Sequence, residues 1–122
     1  MRPMNKTQSL LFSTMLLLAA CGVKTTPPDI GKVWHEKEGP WEGTWTRRGD
    51  TNVFDAVWKN PEGAVILDQV TFESVVDHQV VLFRKGTQGR YRGHLSDDGL
   101  KIDNGSAEWF SSADSWSATI EK

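Results

Sequence analysis

Cysteine is almost absent from this chain, which has a single cysteine, Cys21, among its 122 residues. One cysteine cannot form a disulfide within the chain, so the folded part must be stable through its packed core alone. The same thiol stands directly behind an apolar run near the N-terminus. Its position therefore gives the first indication of where the protein resides.

Long apolar runs are also missing. The run from Leu10 to Ala20 is eleven residues long and is interrupted by two hydroxyl side chains. A helix that crosses a hydrocarbon layer ~30 Å thick needs ~20 residues, so this run is too short to span a membrane. Arg2 and Lys6 precede it, and no acidic residue comes before Cys21. A basic start, a short apolar stretch and small residues are the parts of an export signal, which we predict over residues 1–20.

Leu18-Ala19-Ala20-Cys21 resembles the lipobox of bacterial lipoproteins, in which a branched aliphatic residue and two small residues precede the cysteine. In that family the thiol receives a diacylglyceryl group, the signal is cut before it, and the new N-terminus is acylated. The resemblance implies that Leu18, Ala19 and Ala20 are recognised by the signal peptidase and that Cys21 carries the lipid. A secretory signal with a stray, unmodified cysteine is the alternative interpretation.

The two residues after the cysteine, Gly22 and Val23, are not acidic. In the sorting rule known from enteric bacteria, an acidic residue there retains a lipoprotein at the inner membrane. The resemblance therefore implies a cell-envelope protein that is lipid-anchored in the outer membrane and faces the periplasm.

An excess of positive charge is missing as well. Without Arg2 and Lys6, 12 of the 14 basic residues remain against 16 acidic ones, a formal charge of −4. This charge gives no support to nucleic-acid binding. The length that remains after residue 20 fits one domain rather than two, and we expect a monomer.

Catalytic and metal-binding patterns are absent too. His35, His78 and His94 are spread over the chain without the spacing of a metal site, and no serine lies in a nucleophile elbow. Asp97-Asp98 is better explained as a turn than as an acid pair. The sequence predicts no enzyme and no cofactor.

Residues 21–40 have the composition of a lipidated N-terminus and flexible tether. Pro27-Pro28 favours extended backbone, and charged residues dominate from Lys32 to Glu38. In the alternative interpretation, Asp29 caps a short helical turn and Trp34 docks on the domain. We place the folded domain at residues 41–122.

Beyond Pro40, apolar and polar residues alternate over short runs, and turn residues recur about every ten positions. The turn residues include Asn60-Pro61-Glu62-Gly63, Asp97-Asp98-Gly99 and Asp103-Asn104-Gly105. This pattern predicts an all-β fold: an antiparallel meander barrel or closed sandwich of about eight short strands.

The tryptophans alternate with small or apolar residues and would fill a narrow interior. With Gly43-Thr44-Trp45 on the first strand, the domain resembles small barrels of bacterial envelopes, namely the avidin-like barrels and the lipoprotein inhibitors of lysozymes and metalloproteases. If the interior is open, Trp45, Trp58, Trp109 and Trp116 would line a cavity for a small ligand.

Basic residues cluster in one part of the predicted sheet. Arg90, Arg92 and His94 share one face of a strand, and a short turn brings Arg84 and Lys85 near them. This set is a candidate cationic patch for anionic lipid, a glycan or an acidic surface of an envelope protein. The alternative is an ordinary solvated face whose cations pair with Glu73 or Glu108.

Together these features predict a lipid-anchored, non-catalytic binding or scaffolding module of the cell envelope. The alternative function is a small-ligand carrier with a tryptophan-lined cavity.

Overall fold

The computed structural model describes residues 29–122, so the predicted signal segment and the lipobox residues Leu18, Ala19, Ala20 and Cys21 lie outside the described range. Within that range, no helix has the length and apolar character that a membrane crossing requires. Residues 29–122 contain eight strands: β1 (Val33–Glu38), β2 (Trp41–Arg47), β3 (Val53–Lys59), β4 (Val65–Val76), β5 (Gln79–Arg84), β6 (Gly89–Leu95), β7 (Lys101–Ala107) and β8 (Trp116–Glu121).

The strands form a closed barrel with the simplest possible topology. Each strand pairs antiparallel with the next, and β8 pairs with β1 to close the sheet, with Ile120 opposite Trp34. Closure removes the free edges that an open sheet of eight strands would leave. The prediction of a small all-β barrel with about eight antiparallel strands is confirmed.

The barrel begins earlier than the predicted boundary at residue 41. β1 lies in the segment assigned to the tether, pairs along its whole length with β2 and β8, and buries Trp34 in the core. The predicted docking of Trp34 on the domain is thus correct. The predicted start of the domain at residue 41 and the helical turn capped by Asp29 are wrong. Glu36 points inward between Trp34 and Glu38. Because an ionisable residue occupies this inward position, the sequence of the strand does not show apolar–polar alternation.

The two ends of the barrel differ, and we call them the rim and the base. The rim contains the turns that follow β1, β3 and β5 and the connection from β7 to β8. The base contains the turns that follow β2, β4 and β6, together with residues 29–32, which lead into β1. At the base Ile30 is buried, and its carbonyl accepts a hydrogen bond from Trp34 Nε1 at 2.7 Å.

The turn predicted at Asp103-Asn104-Gly105 is wrong, because these residues lie inside β7 as a bulge. Asn104 has a φ of 51°, and the register of β7 shifts here against both β6 and β8. Turns and bulges both need residues that tolerate positive φ, so the same residue types suit either structure.

Candidate functional site

The predicted cationic patch does not form as a single surface. Arg90, Arg92 and His94 lie on the outer face of β6, and Lys85 is exposed in the turn before it, as expected. Arg84, however, is only 8% exposed and points into the barrel. β5 directs Val80, Leu82 and Arg84 inward. Arg84 therefore continues the inward alternation of its strand and does not join the exposed Lys85 of the turn.

The outward cations of β6 already have partners within the protein. Arg90 Nε lies 2.7 Å from Glu73 Oε1, and Arg92 Nη1 lies 4.0 Å from Glu108 Oε2. The His94 ring stacks on His78 with the ring centres 5.7 Å apart. The two ion pairs match the alternative interpretation, in which the cations of this face pair with Glu73 or Glu108. Glu73 lies on β4, two strands from β6, and Glu108 directly follows β7.

Aromatic side chains fill the interior. Trp45 is fully buried at the centre, and its ring lies within about 6 Å of the rings of Trp34, Trp58, Tyr91 and Trp116. Contacts at these separations are those of a packed aromatic core. The lumen is occupied by side chains, as expected for eight short strands.

Trp109 does not belong to this interior, which corrects its predicted place in the cavity lining. It follows the end of β7 at the rim, is 36% exposed, and packs edge-on against Tyr91 with the ring centres 4.8 Å apart. Trp34, from the segment assigned to the tether, is buried in the core instead.

Arg84 is the centre of a polar cluster inside the rim. Its Nε donates to Asp68 Oδ2 at 2.8 Å, and its guanidinium carbon lies 4.1 Å from the centre of the Trp58 ring. Burial alone would raise the pKa of Asp68, but hydrogen bonds from Arg84 and from the N–H groups of Gln69 and Gly86 outweigh it and hold that pKa below its ordinary value. Asp68 and Arg84 therefore form a charged, hydrogen-bonded pair.

Two carboxyl groups of β1 complete the cluster. Glu36 is 1% exposed, and its Oε1 accepts a hydrogen bond from Trp58 Nε1 at 2.8 Å. Burial and the neighbouring Glu38 carboxylate raise the pKa of Glu36 to about 9. Oε2 of Glu36 is buried and has no hydrogen-bond partner among the described residues.

Tyr91 connects this carboxyl pair to Arg84. Its hydroxyl donates to Glu38 Oε1 at 2.5 Å and accepts from Arg84 Nη1 at 3.3 Å. Burial, followed by the Glu38 and Glu36 carboxyl groups, raises the pKa of Tyr91 well above its ordinary value. The phenol therefore stays neutral, and a continuous chain of hydrogen bonds runs from Asp68 through Arg84 and Tyr91 to Glu38.

Gly43 makes room for the acidic part of the cluster. A Cβ atom at this position would lie 2.7 Å from Glu36 Oε1 and 2.8 Å from Trp58 Nε1. The glycine of the Gly43-Thr44-Trp45 motif thus allows close approach of the buried carboxyl group to its indole donor. The sequence did not predict this cluster, because Glu36 and Glu38 were assigned to the tether. Asp68 was not singled out, because no recognisable motif lies next to it in the sequence.

A groove of about 230 Å³ opens beside this cluster at the rim, between the β1–β2 turn and the connection from β7 to β8. Glu38 and Trp41, both half-buried, line one side, and Trp109, Phe110 and Asp114 line the other. Aromatic rings and carboxyl groups thus face the same small space.

β4 presents a second exposed feature on the opposite part of the rim. It has twelve residues and β5 only six, and the two strands pair only from Val70 and Arg84 onward. Val65–Leu67 therefore pairs with β3 alone. We call this segment the β4 edge.

The backbone of the β4 edge is available for pairing. The Gln69 carbonyl accepts a hydrogen bond from the Lys85 N–H, so the backbone groups of Gln69 face β5. Because successive residues of a strand direct their backbone groups to alternate sides, those of Leu67 and Val65 face the same way, beyond the end of β5. The side chains of Leu67 and Val65 point outward and are 73% and 54% exposed.

No protein-family model matches this chain, and no curated protein or solved structure is significantly similar to it.

Proposed function

We propose that the protein is a lipid-anchored, non-catalytic binding module of the cell envelope, and that it docks a partner protein by adding a strand of that partner to the β4 edge. The lipid on Cys21 holds the module in the outer membrane, where the barrel faces the periplasm. The observation that carries this proposal is the coincidence of unpaired backbone groups and exposed apolar side chains at Val65 and Leu67. An exposed, apolar strand edge is a template for pairing with another chain.

The filled interior favours this function over the carrier alternative. Trp45 and its neighbouring rings occupy the space in which an enclosed ligand would have to lie. Binding on the outside of the barrel requires no rearrangement of the core. The ion pairs of Arg90 and Arg92 likewise favour the β4 edge over the predicted cationic patch.

The position of the anchor supports the same function. Seven residues, 22–28, separate Cys21 from Asp29 and can span at most ~25 Å when fully extended. The chain joins the barrel at the base, where Ile30 is buried, whereas the β4 edge lies at the rim. A short anchor at the base leaves the rim directed away from the membrane.

Capture from solubilised envelopes tests the proposal when the variants are matched. The full lipidated chain should capture a partner, and Leu67→Asp should lose it because a charged side chain blunts a strand edge. Ser117→Asp introduces the same charge on the exposed face of β8 and should capture like the wild type. Equal capture by all three proteins, with each folded by circular dichroism, would contradict the proposed function.

A further inference from the structure

The groove at the rim has a chemical character that the β4 edge lacks, because aromatic rings and carboxyl groups line it together. Three aromatic residues line it: Trp41, Trp109 and Phe110. The faces of such rings carry partial negative charge and attract cations. Glu38 and Asp114 add carboxyl groups to the same space.

Glu38 is the carboxyl group of the buried cluster that lines this groove. Arg84 is balanced by Asp68 at 2.8 Å, and Glu36 is held neutral by its burial beside Glu38. The hydrogen-bond partner of the Glu38 carboxyl group is the neutral hydroxyl of Tyr91. Glu38 is half-buried and lines the groove, so its carboxyl group is the part of the cluster that a ligand can reach.

The groove itself is preformed by contacts that do not involve a ligand. The Asp114 carboxylate accepts hydrogen bonds from the Ser111 N–H and hydroxyl, both at 3.0 Å, which fixes the loop after β7. Trp109 is held between Tyr91 and Phe110, with ring centres 4.8 and 5.7 Å away. A preformed groove binds without first having to order its walls.

From this geometry we infer that the rim groove binds an organic ammonium group, with Glu38 as its counter-ion and Trp41, Trp109 and Phe110 as its aromatic walls. A volume of about 230 Å³ suits one flexible amine chain, such as a lysine side chain or a free alkylamine, rather than a larger ligand. The ammonium group would hydrogen-bond to the Glu38 carboxylate and place its first methylene groups against the rings. This inference is independent of the β4 edge, since β4 is adjacent in the barrel only to β3 and β5, and neither of these strands lines the groove.

Titration of the full ¹⁵N-labelled chain with n-butylammonium chloride tests the inference by NMR. The indole N–H signals of Trp41 and Trp109 should shift with saturation in the millimolar range, while those of the buried Trp45 and Trp58 should not. n-Butanol, which has the same carbon chain and no charge, should bind about tenfold more weakly or not at all. Equal shifts with n-butanol would overturn the inference, because the groove would then be merely apolar.

Matched variants test the assigned roles. Glu38→Gln keeps an acceptor for Tyr91 and should weaken n-butylammonium binding by about tenfold, a ratio that corresponds to ~1.4 kcal/mol. Asp103→Asn removes an equal charge from an exposed position on β7 and should leave the affinity unchanged. Trp109→Leu keeps Glu38 but removes one aromatic ring, and it should also weaken n-butylammonium binding. This variant tests the inference even if Glu38→Gln does not fold. Wild-type affinity in folded Glu38→Gln or Trp109→Leu would overturn the inference.

The source of the ammonium group is distinguished by a second probe, the peptide acetyl-Gly-Lys-Gly-amide. Tighter binding of this peptide than of n-butylammonium would support the inference with a protein lysine as the ligand. Binding of the free amine alone would support it with a small amine as the ligand. Failure of both probes to shift Trp41 and Trp109 would overturn it, whether or not the β4 edge binds a partner.

Discussion

The Tyr91 hydroxyl donates a hydrogen bond to Glu38 Oε1 at 2.5 Å, which joins β6 to β1 through the interior of the barrel. The two strands are not neighbours in the sheet, since β7 and β8 lie between them. Because Arg84 also donates to this hydroxyl, one phenol satisfies both a carboxylate and a guanidinium. The rim is therefore held together by side chains as well as by the sheet.

Tyr91→Phe should lower the free energy of unfolding by ~1–3 kcal/mol, because Glu38 loses a donor and Arg84 loses an acceptor inside the barrel. Urea denaturation at pH 7 measures this change. In a double-mutant cycle, Tyr91→Phe in the Glu38→Gln background should cost less than in the wild type. Strict additivity of the two substitutions would mean that the charge of Glu38 does not strengthen this hydrogen bond.

Glu36 makes the stability of the protein depend on pH. Its pKa is raised from an ordinary value of 4.5 to about 9 in the folded state, so between these values the folded chain holds a proton that the unfolded chain has released. The contribution of this group is complete below pH 4.5 and is lost as the pH rises toward 9, with a slope of at most ~1.4 kcal/mol for each pH unit.

Glu36→Gln should remove this slope. Glutamine is neutral at every pH and can accept the hydrogen bond of Trp58. Denaturation at several pH values between 5 and 9 should show wild-type stability falling with pH and that of the variant changing much less. A wild-type slope that survives in Glu36→Gln would assign the pH dependence to other groups.

The start of the folded domain is tested by truncation. A chain of residues 29–122 keeps β1 and Trp34 and should be monomeric, β-rich and cooperatively folded. A chain that starts at Gly39 leaves β2 and β8 without their shared partner and exposes the core where Trp34 was packed, so it should aggregate. Size-exclusion chromatography and circular dichroism distinguish these outcomes. A soluble, monomeric 39–122 chain would show that β1 is dispensable.

The alternation of residues was enough to predict the barrel. Trp41–Arg47 and Val53–Lys59 show clean apolar–polar alternation, and their inward residues are those that pack in the core. The predicted inward packing of Trp58 and Trp116 is confirmed, since both are buried. Local patterns suffice here because a strand with one dry face must repeat every second residue.

The buried polar cluster and the β4 edge could not be predicted, because they depend on contacts between distant parts of the chain. Glu36 and Arg84 are tolerated inside only because Trp58, Tyr91 and Asp68 reach them from other strands. Charge was therefore a misleading signal at both positions. The overhang that creates the β4 edge reflects the different lengths of two paired strands, which no single segment reveals.

The lipid anchor is predicted from the lipobox resemblance and is tested by Cys21→Ser. This substitution removes the acceptor thiol, so the chain should stay unprocessed and should incorporate no palmitate analogue. Mass spectrometry of the wild type should show loss of residues 1–20 and an acylated Cys21. Equal labelling of the wild type and Cys21→Ser would contradict the assignment.

The most direct measurement of the proposed function is site-specific photocrosslinking in intact cells, with the crosslinking amino acid placed at Leu67 or at Ser117. If a partner strand pairs with the β4 edge, position 67 should give one discrete adduct. Position 117, on the exposed face of β8, should give none. The adduct should disappear when Val65→Pro removes a backbone donor that faces the partner. Adducts of equal yield at both positions, or an adduct at 67 that survives Val65→Pro, would contradict the account.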